Sequence, residues 1–247
     1  MLIDYDNGDE FTLPAPYNLV IQLLTPESFF NTTLPEAVPI AYIVTDDSNN
    51  YLVFRGTKTI EEWIVDADFP LVPYPYVNTD AKTEKGFTDL YNTLGLVEEI
   101  NMLAETGDFD NLYVTGHSLG AALAVVAIPD IIENTDFKDP IMYNFAGPRV
   151  GDQNFKDLYD GYDIESWRVF NTNDEVPKLP PTSFGYIHVN SGEPITFGKP
   201  VSGPFDFKDI AFDHEGCNYY NTLCGMTSDP ATCMSMADGA DRCNAGM

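Results

Sequence analysis

The stretch Leu112-Tyr-Val-Thr-Gly-His-Ser-Leu-Gly120 decides the fold of this chain. Its first four residues are mostly apolar and predict a short buried strand, whereas the alanine-rich run Leu119–Ile128 predicts a tightly packed helix. Between them, Gly116-His-Ser-Leu-Gly120 matches the pattern G-x-S-x-G, in which a sharp strand-to-helix turn lifts a serine hydroxyl above a sheet. The pattern alone is common, but its position between a strand and a helix predicts that Ser118 is a nucleophile.

Strand and helix candidates alternate on both sides of this turn. Four further runs rich in Ile, Val and aromatic residues predict strands: Pro39–Thr45, Tyr51–Phe54, Ile141–Phe145 and Trp167–Phe170. Helical spacing of apolar residues predicts a long amphipathic helix over Gly86–Thr106 and a shorter helix over Gln153–Tyr159. The alternation predicts an α/β fold with a central, mostly parallel sheet flanked by helices, which the first two strands extend by antiparallel pairing. The chain after Pro177 is turn-rich, with Tyr186–Val189 as a short strand candidate.

The composition is that of one globular domain with an acidic surface. With 247 residues, 44% of them hydrophobic, the chain can bury a sizeable core, and we expect one domain over residues 1–247. No apolar run reaches the roughly 18 residues needed to span a bilayer. The 39 acidic and 12 basic residues give a formal charge of −27, which argues against nucleic acid as a partner because phosphate would be repelled. The charge fits a solubilising surface, with adaptation to salt or acid as the alternative.

All four cysteines lie near the C-terminus: Cys217, Cys224, Cys233 and Cys243. None forms a C-x-x-C pair, which argues against a zinc site, and the even number in a polar tail over residues 214–247 suggests two disulfides in any of three pairings. Free thiols in an intracellular protein are the alternative. Disulfides require an oxidising compartment, so we expect a secreted protein. Residues 1–6 lack the basic start and apolar centre of a signal peptide, and we expect the numbering to begin at a mature or recombinant N-terminus.

A serine hydroxyl needs a general base to become a useful nucleophile, and the chain has 3 histidines. His117 adjoins Ser118, so its side chain is expected to point away from the serine and to be structural. His188 lies on the short strand candidate, and His214 lies in a polar loop just before the cysteine-bearing tail. Both follow the serine along the chain. We favour His214 as the base, because loops at the rim of the sheet supply it in this type of fold.

The acid that orients the base is expected on a loop after a strand, between the serine and the histidine. Asp174 fits this position, because it ends Asn171-Thr-Asn-Asp174 after the last main strand and precedes a proline-rich loop. Such a carboxylate holds the imidazole in one tautomer and stabilises its cation. A turn-capping role for Asp174 is the plain alternative. Three later aspartates are less suitable because they lie close to His214 in the chain: Asp206, Asp209 and Asp213.

Together these residues resemble the class 3 (fungal-type) lipase family. The segments that carry the resemblance are Val53-Phe-Arg-Gly-Thr57, Lys85-Gly-Phe87, Thr115-Gly-His-Ser-Leu-Gly120, Phe145-Ala-Gly-Pro-Arg-Val-Gly151, Asn173-Asp-Glu-Val-Pro177, Gly185-Tyr-Ile-His188, and Asp213-His214 followed by Tyr219 or Tyr220. The resemblance implies the α/β-hydrolase fold and a catalytic triad of Ser118, Asp174 and His214. It also implies an oxyanion hole formed by backbone N–H groups of Thr57 and Leu119, with no cofactor and no metal.

Residues 58–70 directly follow the expected oxyanion residue and are a candidate lid. Ile60, Trp63 and Ile64 recur at helical spacing, with acidic residues on the opposite face. In lipases of the resembled family this position holds a mobile amphipathic helix. The resemblance therefore implies that these residues cover an apolar acyl site in water and turn toward lipid at an interface. A surface helix that stays packed on the core is the alternative.

The resemblance implies a secreted lipase that hydrolyses carboxylic ester bonds of acylglycerols through an acyl-enzyme intermediate, with its ester substrate at a lipid–water interface. The family often has disulfides spread along the chain, whereas all cysteines here are C-terminal. The C-terminal segments Asp213–Tyr219 and Cys224-Gly-Met-Thr-Ser228 also look like the end of fungal feruloyl esterases, so an aromatic-ester esterase is the first alternative. A phospholipase A1 with the same triad is a narrower variant, and a catalytically silent binding protein on the same scaffold is an alternative from another class.

Overall fold

The computed structural model describes residues 13, 15–25, 38–46, 48–56, 68–104, 111–199 and 207–235. Its strands, numbered in chain order, are β1 (Asn18–Thr25), β2 (Val38–Thr45), β3 (Asn49–Phe54), β4 (Leu71–Pro73), β5 (Lys82–Glu84), β6 (Asn111–His117), β7 (Ile141–Phe145), β8 (Ser166–Asn171) and β9 (Glu193–Ile195). Seven of them form one sheet in the order β1-β2-β3-β6-β7-β8-β9. The short strands β4 and β5 pair with each other in a separate antiparallel ribbon.

The main sheet is mostly parallel, as the sequence predicts. β1, β2 and β3 pair antiparallel, and from β3 to β9 every neighbouring pair is parallel. Asp46 holds the turn between β2 and β3, because its carboxylate accepts hydrogen bonds from the backbone N–H groups of Ser48 and Asn49, each at 2.8 Å. Since parallel strands end at the same edge of a sheet, the loops after β3, β6, β7 and β8 meet there.

Helices cover one face of this sheet. Within the described part they are α1 (Lys85–Asn92), α2 (Leu96–Ala104), α3 (Leu119–Asn134), α4 (Gln153–Asp160), α5 (Phe207–His214), α6 (Gly216–Gly225) and α7 (Pro230–Ser235). Nearly every side chain of α3 is buried, and it packs on inward-facing residues of the strands such as Leu52, Val114 and Met142. Each such buried aliphatic side chain contributes roughly 1.5–3 kcal/mol. The core therefore sits between α3 and the strands that precede and follow it.

Helix α3 is longer than predicted. The sequence predicts an end at Ile128, whereas the helix continues through Pro129 to its last residue at position 134. A proline inside a helix removes one backbone donor. Here that loss is offset beyond the proline, where Ile131 is fully buried and Tyr91 donates a hydrogen bond of 2.8 Å to the carboxylate of Asp130.

The prediction of one long helix over Gly86–Thr106 is wrong. Two helices occupy its described part, and the chain turns between them. The hydroxyl of Thr93 donates to the carbonyl of Leu90 at 2.7 Å and closes α1. Gly95 then takes a φ of +57°, which suits glycine and cannot continue a right-handed helix. The apolar spacing on both sides of the break stays in phase, so periodicity alone does not reveal it.

The C-terminal part is more regular than the sequence predicts. Tyr186–Val189 is not a strand, since only Ile187 forms an isolated bridge, to Gly151. The strand lies instead at β9, and helices occupy most of the described region after residue 206. His214 is accordingly the last residue of α5 rather than part of a polar loop. None of the helices in the described ranges is long and apolar enough to cross a membrane. The extent of the domain over residues 1–247 stays a prediction.

Candidate active site

Ser118 occupies a strained turn between β6 and α3. Its φ of +59° and ψ of −124° are rarely adopted by a residue with a side chain and cost about 1–3 kcal/mol. Glycines on either side make the turn possible. A Cβ added to Gly116 would lie 2.3 Å from the backbone of Gly120, and one added to Gly120 would lie 2.3 Å from the carbonyl oxygen of Phe54. The helix can approach the strands this closely only because neither position has a side chain.

His214 and Asp174 complete a chain of hydrogen bonds that begins at Ser118. The serine Oγ lies 2.7 Å from Nε2 of His214, and Nδ1 of the same ring lies 2.8 Å from Oδ2 of Asp174. All three side chains are buried. The structure thus brings together the three residues that the sequence singles out, in the geometry in which an imidazole can take the proton of a serine hydroxyl.

Asp174 is held from three directions. Besides the imidazole, it accepts hydrogen bonds from the backbone N–H of Val176 at 2.9 Å and from the hydroxyl of Tyr219 at 2.9 Å. The residue is completely buried, so a carboxylate there depends on these donors for the stabilisation that water would otherwise supply. Its loop lies directly after β8, at the edge of the sheet where Ser118 also lies.

Tyr219 joins the acid to the strand that precedes it. Its hydroxyl accepts a hydrogen bond of 2.7 Å from the backbone N–H of Asn171 while it donates to Asp174. Burial, together with the charge of Asp174, raises the pKa of Tyr219. The phenol therefore stays protonated and remains a donor. The sequence names Tyr219 only as one of two tyrosines after His214, and its role becomes visible only in the folded chain.

Replacing Tyr219 by Phe is expected to lower kcat about 10- to 100-fold, because a hydrogen bond to a charged group contributes roughly 1.5–3 kcal/mol. KM should change little, since the hydroxyl does not face substrate. Kinetics on a soluble p-nitrophenyl ester measure both. Tyr220→Phe is the matched control, because its hydroxyl donates to the carbonyl of Cys233 on the same helix and away from the triad. Equal activity of the two variants would contradict this role for Tyr219.

The other two histidines have different surroundings. Nε2 of His188 lies 2.7 Å from the carbonyl oxygen of Pro177, and this contact ties the loop after Asp174 to the following segment. Burial, and then the charges of Arg168 and Arg149, lower the pKa of His188 to about 3. The ring of His117 lies against the ring of His214, with centroids 4.8 Å apart. Neither histidine is placed to accept a proton from Ser118 in the way that His214 is.

The low pKa of His188 predicts a loss of stability in acid. Between its ordinary pKa of about 6.5 and the folded value of about 3, the unfolded chain binds a proton at His188 that the folded chain does not. Stability therefore falls as pH falls through this window, by up to about 1.4 kcal/mol per pH unit. His188→Gln keeps a donor for Pro177 and cannot titrate. Between pH 7 and 4.5, we expect wild type to lose about 2 kcal/mol more than this variant in urea unfolding. Parallel losses would contradict the assignment.

The oxyanion donors are described only in part. Leu119 is the first residue of α3, so its backbone N–H is one of the helix's first donors, which have no partner within the helix. Thr57 lies outside the described residues. Gly56 immediately precedes it and lies beside the nucleophile, since a Cβ added there would be 3.7 Å from Cβ of Ser118. The backbone that leads into Thr57 therefore passes directly beside the serine.

The candidate lid falls almost wholly outside the described residues, which resume at Asp68. Ile60, Trp63 and Ile64 are therefore not placed. The described end of the segment is anchored, because the hydroxyl of Tyr186 donates to the carbonyl of Phe69 at 3.0 Å. Within the described ranges, no group of three or more His, Cys, Asp or Glu side chains could hold a metal ion.

Disulfides tie down the helix that follows the histidine. Cys224 and Cys233 are bonded to each other, which joins α6 to α7, and the prediction of a disulfide in the tail is confirmed. Cys217 is also disulfide-bonded, with a partner outside the described residues. Tyr219 lies on α6 between these two attachment points, so the bonds limit movement of the helix that presents its hydroxyl to Asp174.

A mostly parallel sheet with a serine on a strand-to-helix elbow, an acid after a later strand and a histidine after both defines the α/β-hydrolase class. The comparisons place the chain more narrowly, because residues 51–184 match the family Lipase (class 3). The chain therefore belongs to the class 3 lipase family. Its feruloyl esterase resemblance at the C-terminus has no counterpart among the relatives described next.

Three relatives illustrate this membership. The chain is similar to a lipase of Rhizomucor miehei, with 34% identity over 167 residues that cover 65% of this chain and 46% of the relative. It is similar to the secreted mono- and diacylglycerol lipase A of Penicillium cyclopium, with 31% identity, covering 74% and 59%. It is also similar to phospholipase A1-Igamma3 of Arabidopsis thaliana, with 34% identity, covering 66% and 37%.

The structural comparison agrees with the sequence comparison. The Rhizomucor miehei lipase in its propeptide complex superposes with a TM-score of 0.61 at 30% identity, covering 73% of this chain and 55% of that one. The chain spans about half the length of the curated relatives it matches, from 46% to 59% for the two fungal lipases. The shared part contains the sheet and the serine elbow.

Proposed function

We propose that this protein is a secreted serine carboxylic ester hydrolase that cleaves acylglycerols. The observation that carries the proposal is the pair of contacts made by His214, 2.7 Å to Ser118 Oγ and 2.8 Å to Asp174 Oδ2, at a strained strand-to-helix turn. Membership of the class 3 lipase family supports an ester as the substrate. The name of the Penicillium relative supports acylglycerols as the class of ester and the extracellular space as the location.

In the first half of the proposed reaction, Oγ of Ser118 attacks the ester carbonyl carbon while Nε2 of His214 takes the hydroxyl proton. The carbonyl oxygen becomes an oxyanion, which accepts hydrogen bonds from the backbone N–H groups of Leu119 and Thr57. Asp174 stabilises the imidazolium that forms and keeps its Nδ1–H directed away from the serine. Nε2–H then protonates the leaving alcohol oxygen, the C–O bond breaks, and an acyl-enzyme remains on Ser118.

The second half repeats these steps with water. His214 Nε2 takes a proton from a water molecule as its oxygen attacks the acyl carbon, and the same donors hold the second oxyanion. Collapse of this intermediate breaks the bond to Ser118, whose Oγ recovers its proton from His214, and the carboxylic acid leaves. The chain's own residues supply every proton transfer. The position of Gly56 beside Ser118 supports the part given to Thr57.

Residues 58–70 are proposed as a lid over the acyl site. The anchoring of Phe69 by Tyr186 supports a fixed end from which the segment can move. On this proposal Ile60, Trp63 and Ile64 meet lipid when the lid opens. The rate on a partly soluble ester should then rise sharply as its concentration passes the solubility limit, and a smooth hyperbola through that limit would count against a lid.

A phospholipase A1 is the second candidate function, because the Arabidopsis relative bears that name at 34% identity. It would use the same triad on the ester at position 1 of a phospholipid. The formal charge of −27 favours neutral acylglycerols over anionic phospholipids, since an acidic surface repels an anionic interface.

A panel of substrates tests the proposal. Wild type and Ser118→Ala are assayed on p-nitrophenyl esters from acetate to palmitate, on mono-, di- and triacylglycerol emulsions, on phosphatidylcholine vesicles, and on methyl ferulate. We expect cleavage of medium and long acyl chains and of acylglycerols that disappears in the variant. Preference for phosphatidylcholine would establish the phospholipase instead. Preference for methyl ferulate or acetate would replace the lipase by an esterase and remove the reason for a lid.

A further inference from the structure

His117 supports the imidazole of His214 from one face. The two ring centroids lie 4.8 Å apart with a tilt of 38° between the rings. On its other sides, the His117 ring meets the edge of Tyr219 at 5.7 Å and the start of α6, where a Cβ added to Gly216 would lie 3.8 Å from Cγ of His117. The residue directly before the nucleophile is thus packed between His214 and the helix that follows it.

His214 needs such support because of its place in the chain. It is the last residue of α5, where the regular hydrogen bonding of the helix ends. Its two hydrogen bonds, to Asp174 and Ser118, leave from opposite ends of the ring. They fix the ring at two points and still allow it to rock about the line that joins them. A flat group against one face blocks that motion, and His117 is placed to do so.

The charge state of His117 suits this position. Burial, and then the neighbouring charge of His214, lower the pKa of His117 to about 3. The titratable groups that face it are His214 itself and Tyr219, with Asp174 behind them. A neutral ring does not repel the imidazolium that forms on His214, and the face of an aromatic ring attracts a cation within about 6 Å. Its Nε2 is buried without a hydrogen-bond partner among the described residues.

We propose that His117 is a positioning residue for the general base: its ring holds the face of His214 so that Nε2 stays on Ser118 and Nδ1 stays on Asp174. This inference rests on the proposed function and adds to it a residue outside the triad. It also gives the histidine of the Gly116-His-Ser-Leu-Gly120 turn a task other than shaping the backbone. Replacement by a flat apolar ring should preserve that task, because Nε2 makes no bond that would be lost.

Three variants test the proposal: His117→Ala, which removes the ring; His117→Phe, which keeps a flat ring; and Tyr113→Ala. The last is the matched control, because Tyr113 lies on the same strand and the same face of the sheet but packs on Tyr51. We expect His117→Ala to lower kcat about 10- to 100-fold with KM unchanged, since small displacements of a catalytic group are costly. His117→Phe should recover most of the rate, and Tyr113→Ala should retain it. If His117→Ala does not fold, His117→Asn takes its place.

A proton NMR measurement gives a readout that does not depend on turnover. The Nδ1–H proton of His214, hydrogen-bonded to Asp174, should appear at low field in wild type and in His117→Phe. It should shift or broaden in His117→Ala. The inference is overturned if this resonance is unchanged and kcat stays within twofold in His117→Ala, or if His117→Phe loses as much activity as His117→Ala. An unchanged NMR pattern with an inactive wild type would reject the proposed function and this inference separately.

Discussion

Replacing Ser118 by Ala is expected to lower ester hydrolysis about 10⁶-fold, to the level that binding and the oxyanion donors supply alone. The effect is this large because no second nucleophile is in place, since His214 directs Nε2 at Ser118 Oγ. The measurement is the initial rate on p-nitrophenyl butyrate, with denaturant unfolding to verify that the variant is folded. More than about 1% of the wild-type rate in a folded variant would contradict Ser118 as nucleophile.

Ser118→Gly is the matched control for backbone strain. Serine and alanine both carry a Cβ and are strained at a φ of +59°, whereas glycine adopts this conformation readily. Both variants should be inactive. Ser118→Gly should be more stable than Ser118→Ala by about 1 kcal/mol, the lower end of what such strain costs. Equal stability would mean that the elbow is not strained in solution.

Asp174→Asn is expected to lower kcat about 10⁴-fold with little loss of stability. An amide group facing the ring would donate to Nδ1 of His214, which forces the proton onto Nε2, where it points at Ser118 and cannot receive the serine proton. The amide can still satisfy Val176 and Tyr219, so the loop should keep its fold. Rates on a soluble ester, with thermal unfolding, measure both quantities.

Asp130→Asn is the control for the loss of a buried carboxylate. Asp130 accepts hydrogen bonds from Tyr91 at 2.8 Å and from Asn134 at 2.7 Å near the far end of α3, and it makes no contact with the triad. Its variant should keep wild-type kcat. If Asp130→Asn and Asp174→Asn lost activity alike, the effect would come from disturbed folding and not from the tautomer of His214.

The central part of the fold could be predicted because local signals there agree. Strand, glycine-flanked serine and alanine-rich helix follow one another in Leu112–Ile128, and each reinforces the next. β9 could not be predicted, because it is three residues long, contains a proline and buries only Ile195. The break at Gly95 was hidden by a hydrophobic spacing that continues through it. β1 also went unpredicted, and its exposed edge position leaves it without a clear alternating pattern.

The site divides in the same way. Ser118 has a local motif, and Asp174 follows a recognisable strand. His214 was reached by comparing three histidines, even though the helix that ends on it was taken for a loop. The contact of Tyr219 with Asp174 joins residues 45 apart in the chain, and no local pattern contains such a contact. Thr57 and the lid residues stay predictions.

Covalent labelling with a fluorescent alkyl phosphonate tests the central claim most directly, because a phosphonate reacts only with a serine whose base and oxyanion donors are assembled. Peptide mass analysis locates the adduct. The account predicts one adduct, on Ser118, which is absent from Ser118→Ala and forms far more slowly in His214→Gln. Labelling of another residue, or labelling of wild type and His214→Gln at the same rate, would contradict it.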